Sequence, residues 1–154
     1  MSSSYDFMGK AWRGRRQYVE QMMRQLAVGW RRDPAILRVE HPTRLDRARR
    51  VGYKAKQGFV VIRARIRRSG ARKKRPVSGR RPKTMGVTKF KWAKSMKQIA
   101  EERVARKHPN LEILNSYFLW ADGKYYWTEV LMIDPNHPVI ASDSRTKWIA
   151  RIEN

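Results

Sequence analysis

The sequence predicts an α+β fold, in which a small antiparallel sheet packs with helices and carries long basic loops and extensions. Two stretches, 10–27 and about 90–107, repeat apolar residues at spacings of three and four, which is the period of an amphipathic helix. Apolar residues alternate from 59 to 67, as they do in a strand. The aromatic and aliphatic runs 111–121 and 124–133 are joined by Asp122-Gly123, a strong hairpin signal, so we expect the core to centre on this hairpin.

The first part of the chain is predicted to be helical. The helical period covers 10–27, with arginines between the apolar positions. Asp33-Pro34 then has the pattern of an N-cap followed by proline at the first helical position, which predicts a short helical turn. His41-Pro42 is expected to end that turn, because proline disfavours a helical residue before it.

A short basic helix is expected next, over about 44–51. Thr43 and Asp46 have capping-box spacing, and Gly52 is a natural stop. The polar loop that follows is bounded by Gly52 and Gly58, which permit close approach of a neighbour such as a phosphate.

The predicted strand 59–67 has one apolar face and one half-basic face. The apolar face is expected to lie on the core. Its residues are Val60, Ile62, Ala64 and Ile66, and the other face holds Phe59, Val61, Arg63, Arg65 and Arg67.

The remaining elements are a basic loop, a second long helix, the hairpin and a short C-terminal strand. The loop 69–86 is rich in Arg, Lys, Gly and Pro, and we expect it to be extended. The helix of about 90–107 is expected to end at His108-Pro109. After the hairpin, 139–141 is predicted to add a strand, and Asp143 or Ser144 to cap a terminal turn.

The chain is predicted to form one domain, residues 1–154, with three parts. Residues 1–43 form an N-terminal helical part. Residues 44–94 form a strongly basic segment, and 95–154 form the second helix and a near-neutral hairpin core.

The charge predicts a polyanionic partner. The chain of 154 residues has 36 Lys and Arg against 13 Asp and Glu, a net charge of +23. Residues 1–107 hold 32 of the basic and 7 of the acidic residues, and the interval 44–94 holds 20 basic residues and one acid. Because 23 of the cations are arginines, which pair bidentately with phosphate, nucleic acid is favoured over a lipid surface.

Several other classes of protein and site are excluded by composition and motif. The chain has no cysteine, which removes disulfides and thiolate chemistry. The first residues have no apolar core of a signal peptide, and no stretch is long and apolar enough to span a membrane, so no membrane partner is expected. All three histidines precede proline, and no glycine motif cradles a phosphate, so we expect no metal, no cofactor and no small-molecule substrate.

Two alternative functions stay open on the residues alone. A metal-dependent nuclease would use carboxylates near a lysine on or beside the hairpin, although Asp-Gly turn chemistry already explains Asp122. Its candidate residues are Glu112, Asp122, Lys124, Glu129 and Asp134. A DNA-compacting chromosomal protein would share the charge, but no groove-reading helix pattern is present.

Aromatic residues in the basic segment are candidates for stacking on bases. Tyr53 lies in the basic loop and Trp92 at the end of the basic run, although the helical spacing of Trp92 favours core packing. The rings of the near-neutral hairpin are expected in the core or at a protein interface.

The run from His41 to Gly58, HPTRLDRARRVGYKAKQG, closely resembles the large-subunit ribosomal protein fifteen family shared by archaea and eukaryotes. Further blocks fall in the family's order, namely 99–103, 114–117, 129–130 and 133–135. The block 30–35 resembles the archaeal branch. The resemblance implies a non-catalytic protein of the cytoplasmic large subunit, with a small α+β core, basic extensions in ribosomal RNA, and neighbouring large-subunit proteins as partners.

Carried onto this sequence, the resemblance implies RNA contacts from Arg44 to Gln57, and the basic strand and loop extend that surface. The full predicted RNA-binding set is Arg13, Arg15, Arg16, Arg31, Arg32, Arg44, Arg47, Arg49, Arg50, Tyr53, Lys54, Lys56, Gln57, Arg63, Arg65, Arg67, Arg68, Arg72, Lys73, Lys74, Arg75, Arg80, Arg81, Lys83, Lys89 and Lys91.

Overall fold

A four-stranded antiparallel sheet organises the protein, with helices on both faces, which confirms the predicted α+β class. The computed structural model describes residues 3–68, 73–87 and 93–149. The strands lie in the order β1-β2-β4-β3. The elements are β1 Ile36–Val39, β2 Phe59–Arg67, β3 Glu112–Ala121 and β4 Tyr125–Ile133, with α1 Ser4–Gly14, α2 Arg16–Trp30, α3 Leu45–Arg50, α4 Met96–Lys107, α5 Pro138–Ser142 and a 3₁₀ turn at Pro82–Thr84.

The hairpin of β3 and β4 is confirmed as the centre of the core. Asp122 closes its turn, since its Oδ1 accepts a hydrogen bond of 2.7 Å from the backbone N–H of Lys124. Residues 127–133 of β4 are all buried, because helices cover the sheet on both sides. The hairpin therefore packs as a central layer rather than presenting a solvated face.

The prediction for β2 is also confirmed, and β2 pairs with β4 along its whole length, from Phe59 opposite Ile133 to Arg67 opposite Tyr125. The other edge of β2 pairs with β1, where Ile36 lies opposite Ala64. The predicted helical turn at Asp33-Pro34 is thus wrong. A strand here satisfies backbone groups that β2 would otherwise leave unpaired, and this long-range pairing overrides the local N-cap pattern.

One face of the sheet packs against α4. Ile62, Ala64 and Ile66 of β2 contact Ala100 and Val104 of α4 within one buried cluster. The helix begins at Met96, after the Ser95 hydroxyl accepts a hydrogen bond from the N–H of Gln98, and not at about 90 as predicted. Trp92 lies outside the described residues.

The opposite face is covered by α2 and α3. Met23, Ala27 and Trp30 of α2 pack on Leu119 and Trp127 of the hairpin. Further along the same face, Ala48, Tyr53, Val61, Tyr117 and Leu131 form a second cluster. The half-basic face of β2 is therefore covered as well, so β2 has no solvent-facing side along most of its length.

The predicted first helix is divided into α1 and α2. Arg15 lies between them with non-helical dihedral angles, φ −102° and ψ 48°. The adjacent Gly14 lowers the cost of a break, because glycine has a poor helix propensity. A capping box of Ser3 and Asp6 begins α1, earlier than the predicted start at 10.

The predicted helix over about 44–51 is confirmed as α3, but its predicted capping box is wrong. The N-cap residue is Arg44, which makes no side-chain capping bond. The Thr43 hydroxyl instead donates to Glu129 at 2.6 Å, and Asp46 pairs with Arg44 at 2.7 Å. A long-range partner thus takes the Thr43 side chain away from the helix end, and the neighbouring Arg44 engages Asp46.

The predicted strand 139–141 is wrong, since Pro138–Ser142 forms α5. Its N-cap is His137, whose Nδ1 accepts from the N–H of Val139, and Pro138 fits the first helical position. The predicted cap at Asp143 is confirmed, because its Oδ1 accepts from the N–H of Arg145 at 3.0 Å.

Candidate nucleic-acid interface

Two of the predicted RNA-binding arginines, Arg63 and Arg65, lie between the sheet and α2. The Arg63 guanidinium pairs with Asp33 at 2.6 Å and lies 4.6 Å from the Trp30 ring centroid. Arg65 donates to the carbonyls of Trp30 and Arg31, which the end of α2 leaves without helical partners. Both arginines therefore hold the end of α2 against the sheet, a role that the sequence prediction did not include.

The Arg44 side chain also makes contacts within the protein. It is 12% exposed, pairs with the buried Asp46 and lies 4.5 Å from the ring centroid of Trp12. The Arg44 guanidinium thus links the start of α3 to Trp12 of α1, and its Nε and Nη2 atoms face Asp46. Little of the Arg44 side chain is therefore exposed in this arrangement.

Tyr53 packs in the core rather than facing a base. It is 7% exposed, and its ring lies edge-on to Phe59 with centroids 6.1 Å apart. Stacking on RNA is incompatible with this placement. The sequence showed a ring in a basic loop, but not that the N–H of Tyr53 bonds to the Ala48 carbonyl and turns the ring inward.

The fold itself requires glycine at both ends of that loop. Gly52 and Gly58 have φ of +101° and +87°, which L-residues with side chains rarely adopt. A Cβ on Gly58 would lie 2.5 Å from Cγ1 of Ile140. Close packing on α5, rather than approach to a phosphate, thus accounts for Gly58.

Lys54 and Lys56 of the same loop share one carboxylate, Asp143. Their Nζ atoms lie 3.0 and 3.2 Å from its Oδ2. The hydrogen bond from the Arg145 N–H and those from the two lysines lower the pKa of Asp143. The loop is therefore tied to the turn after α5, and Lys56, about half exposed, keeps a side open to solvent.

The C-terminal half of α3 presents a basic edge. Arg47 donates to the carbonyl of Phe118, and Arg50 pairs with Asp6 of α1. Burial lowers the pKa of Arg47, and the nearby Arg44 lowers it further. Arg49 lies 5.4 Å from the ring centroid of Tyr5. Each arginine keeps an intramolecular contact, and Arg50 is the most exposed of the three.

A second basic group lies at the turn of the hairpin. Arg31 pairs with Asp122 at 2.8 Å, and Arg68 donates to the Asp122 carbonyl at 2.6 Å. Both line a cleft of about 550 Å³ between α2 and the hairpin, together with Arg24 and Trp120. Arg24 was absent from the predicted RNA-binding set, although it lies on α2 four residues after Glu20, which itself follows Arg16 by four.

The described part of the basic loop, 73–87, projects its cations into solvent. Its only regular structure is the turn at Pro82–Thr84, and its side-chain hydrogen bonds are local, such as Thr84 to the Arg81 carbonyl. Val77 is 72% exposed, so the loop has no apolar contact to hold that side chain against the core. Lys73, Lys74, Arg75, Arg80, Arg81 and Lys83 are all exposed.

The other predicted residues lie on the surface or outside the described ranges. Arg13 donates to the Gly9 carbonyl, and Arg16 pairs with Glu20 at 3.1 Å. Arg15, Arg32, Gln57 and Arg67 are exposed, whereas Arg72, Lys89 and Lys91 lie outside the described residues.

The carboxylates proposed for a nuclease are dispersed. Glu129 is fully buried and accepts hydrogen bonds from Thr43 and from the Tyr117 hydroxyl. Burial raises the pKa of Tyr117, and the Glu129 carboxylate raises it further. Asp134 accepts from the Asn136 N–H in a turn. Within 3–68, 73–87 and 93–149, no three acidic or histidine side chains come together as a metal would require.

No helix in the described part of the chain is long and apolar enough to cross a membrane.

A sequence model of the family described as Ribosomal L15 matches residues 3–154, nearly the whole chain. The match includes the α3 region, the sheet and the hairpin. The chain therefore belongs to the Ribosomal L15 family, whose members are structural, non-enzymatic components of the ribosome.

Proposed function

We propose that this protein is a structural constituent of the cytoplasmic large ribosomal subunit that binds and stabilises ribosomal RNA. Its contacts come from the basic loop and from exposed helix faces, and neighbouring large-subunit proteins complete its surroundings. Membership of the ribosomal family supports a structural role without catalysis. The arrangement of charge supports the contacts with RNA.

The proposal rests on the positive charge that ion pairs within the protein leave unneutralised. Eleven lysines and arginines form ion pairs with eight carboxylates among the described residues. Even complete pairing of all 13 acids would leave the net charge of +23 without a counter-charge in the protein. Such a surplus opposes compaction until external anions are supplied.

The position of the surplus favours RNA. The cations of 73–87 are exposed on an irregular backbone with Pro76, Gly79 and Pro82, which suits the irregular grooves of folded RNA better than a regular duplex. Arginine forks pair with phosphates in two parallel hydrogen bonds. The near-neutral hairpin lies in the core, where it supports the basic surface.

The test compares two double variants that remove the same charge. Arg80 and Arg81 of the loop are changed to Gln in one, and Arg145 and Lys147 of the near-neutral part in the other. Binding to large-subunit ribosomal RNA is measured over a range of salt concentrations. Because each phosphate contact contributes about 0.7 to 0.9 to the slope of log K against log salt, the loop variant is expected to flatten it by about 1.4 to 1.8.

The C-terminal variant is expected to keep the slope of the wild type. Equal flattening by both variants would show that binding depends on net charge alone and would contradict the assignment of the loop. Duplex DNA of the same length serves as the competitor. If it displaces the ribosomal RNA at equal concentration, the DNA-compacting alternative replaces this proposal.

A further inference from the structure

A small apolar cleft lies at the bend between α1 and α2. Its volume is about 210 Å³. Arg15 has non-helical dihedral angles, so the end of α1 and the start of α2 meet at an angle and leave space between their side chains. The cleft is lined by Ala11, Trp12, Arg15, Tyr18, Val19 and Met22.

The floor of the cleft is anchored to the core. Trp12, Val19 and Met22 pack against the cluster formed by α2 and the hairpin. The Arg44 guanidinium, 4.5 Å from the Trp12 ring centroid, restrains the indole further. A ligand would therefore meet preformed walls, which lowers the entropy lost on binding.

Tyr18 forms the exposed rim of the cleft. It is 65% exposed, and its ring borders an apolar surface that the rest of the described chain leaves open. A flat aromatic ring beside an open apolar cleft of this size suits a planar partner.

The charge around the cleft is positive. Arg13, Arg15 and Arg16 lie at the bend, and Lys10 lies one turn before it. The nearby acid, Glu20, forms ion pairs with Arg16 and Arg24, so its charge is already offset. The rim therefore attracts a ligand that carries negative charge next to its planar group.

We propose that this cleft receives one unstacked base of ribosomal RNA, whose ring stacks on Tyr18 while Arg15 and Arg16 neutralise the flanking phosphates. The inference rests on the proposed function and adds a defined contact to it. Single-stranded RNA is commonly bound by aromatic rings that stack on bases beside cations that hold the backbone. An apolar side chain of a neighbouring protein would fill the volume but would leave the cations of the rim unmatched.

The test measures binding to single-stranded oligoadenylate over a range of salt concentrations. Tyr18→Ala is expected to weaken binding by about 5- to 150-fold, the range that corresponds to the loss of one stacked base. The salt slope should not change, because a neutral ring releases no counterions. Tyr18→Phe, which keeps the stacking face, should bind as the wild type does.

Leu26→Ala is the matched control, since Leu26 is a partly exposed apolar residue of the same helix that does not line the cleft. It should leave the affinity unchanged. An oligomer of abasic riboses should bind the wild type and Tyr18→Ala equally. Circular dichroism melting checks that Tyr18→Ala remains folded, as the exposure of the ring leads us to expect.

Ultraviolet crosslinking in the assembled large subunit gives an independent readout. Trypsin cleaves after Arg16 and Arg24 and so releases peptide 17–24, in which Tyr18 is the sole aromatic residue. We expect a nucleotide adduct on that peptide. Absence of the adduct, together with unchanged affinity of Tyr18→Ala, would overturn the proposal.

Three further outcomes distinguish failure of the cleft proposal from failure of the proposed function. Wild-type protein that binds RNA normally while Tyr18→Ala loses nothing would remove the base-binding cleft and leave the proposed function intact. Wild-type protein that shows no salt-dependent RNA binding would remove both. Loss of a neighbouring protein from subunits that carry Tyr18→Ala, with RNA affinity unchanged, would assign the cleft to a protein side chain and overturn the proposal.

Discussion

At the residue scale, the arginines of β2 lie in two distinct environments. Arg63 and Arg65 hold the end of α2 against the sheet, whereas Arg67, two residues further along the same face, is exposed. The sequence places all three in one basic row with the same spacing. Only the fold separates them. The Trp30 ring covers Arg63, whereas Arg67 lies beyond the part of β2 that α2 covers.

Substitution of Arg63 tests this separation. Arg63→Ala removes the 2.6 Å contact with Asp33 and the stacking on Trp30. The expected loss is about 1.5 to 3 kcal/mol in the free energy of unfolding, the range for a hydrogen bond to a charged group. Urea unfolding measures it, with Arg67→Ala as the matched control that costs less than about 0.5 kcal/mol. Equal losses for the two variants would contradict the two roles.

The carboxylate of Asp143 provides a pH test. Its folded pKa lies below the ordinary value because it accepts from the Arg145 N–H and from Lys54 and Lys56. A lowered folded pKa stabilises the fold above the unfolded pKa of about 3.9, and this contribution is lost as the pH falls toward the folded value. We expect the NMR titration midpoint of Asp143 to lie well below that of an ordinary aspartate. The variant Lys54→Met/Lys56→Met should move it upward, and an ordinary midpoint in the wild type would show that the contact is absent.

At the scale of elements, local patterns predicted some segments well and others wrongly. β2 and the hairpin have strong alternation and an Asp-Gly turn, and both form as predicted. Asp33-Pro34, just before β1, resembles the start of a helix. The segment nevertheless forms a strand, because it pairs with the edge of β2. Similarly, 139–141 is apolar and includes the β-branched Val139 and Ile140, yet Pro138 and the His137 cap begin a helix there.

The junction between β2 and α5 depends on Gly58. Gly58→Ala would place a Cβ 2.5 Å from Ile140 at a backbone φ of +87°. We expect a loss above the roughly 1 to 2 kcal/mol that a left-handed conformation alone costs an L-residue. Gly79→Ala is the control, because Gly79 also has positive φ but no atom within 4 Å of its Cβ position. Thermal unfolding compares the stabilities of the two variants. A similar loss of stability in both would show that the Ile140 side chain moves to accommodate the new Cβ.

At the scale of the whole molecule, one sheet joins three parts of unequal charge. β1 comes from the N-terminal part, β2 from the basic segment and the hairpin from the near-neutral part. Composition alone predicted the excess of cations and the class of partner. It could not predict which cations the fold would use, because Asp33 and Asp122 lie far in sequence from Arg63 and Arg31, with which they pair.

The central claim is that the loop cations contact RNA while the near-neutral part supports the fold. Lysine-reactive labelling followed by mass spectrometry tests it, comparing the free protein with the assembled large subunit. We expect strong protection of Lys73, Lys74 and Lys83 in the subunit and little change at Lys147, all four being exposed in the isolated chain. Loop lysines that remain as reactive in the subunit as in the free protein, with protection confined to Lys147, would contradict the claim.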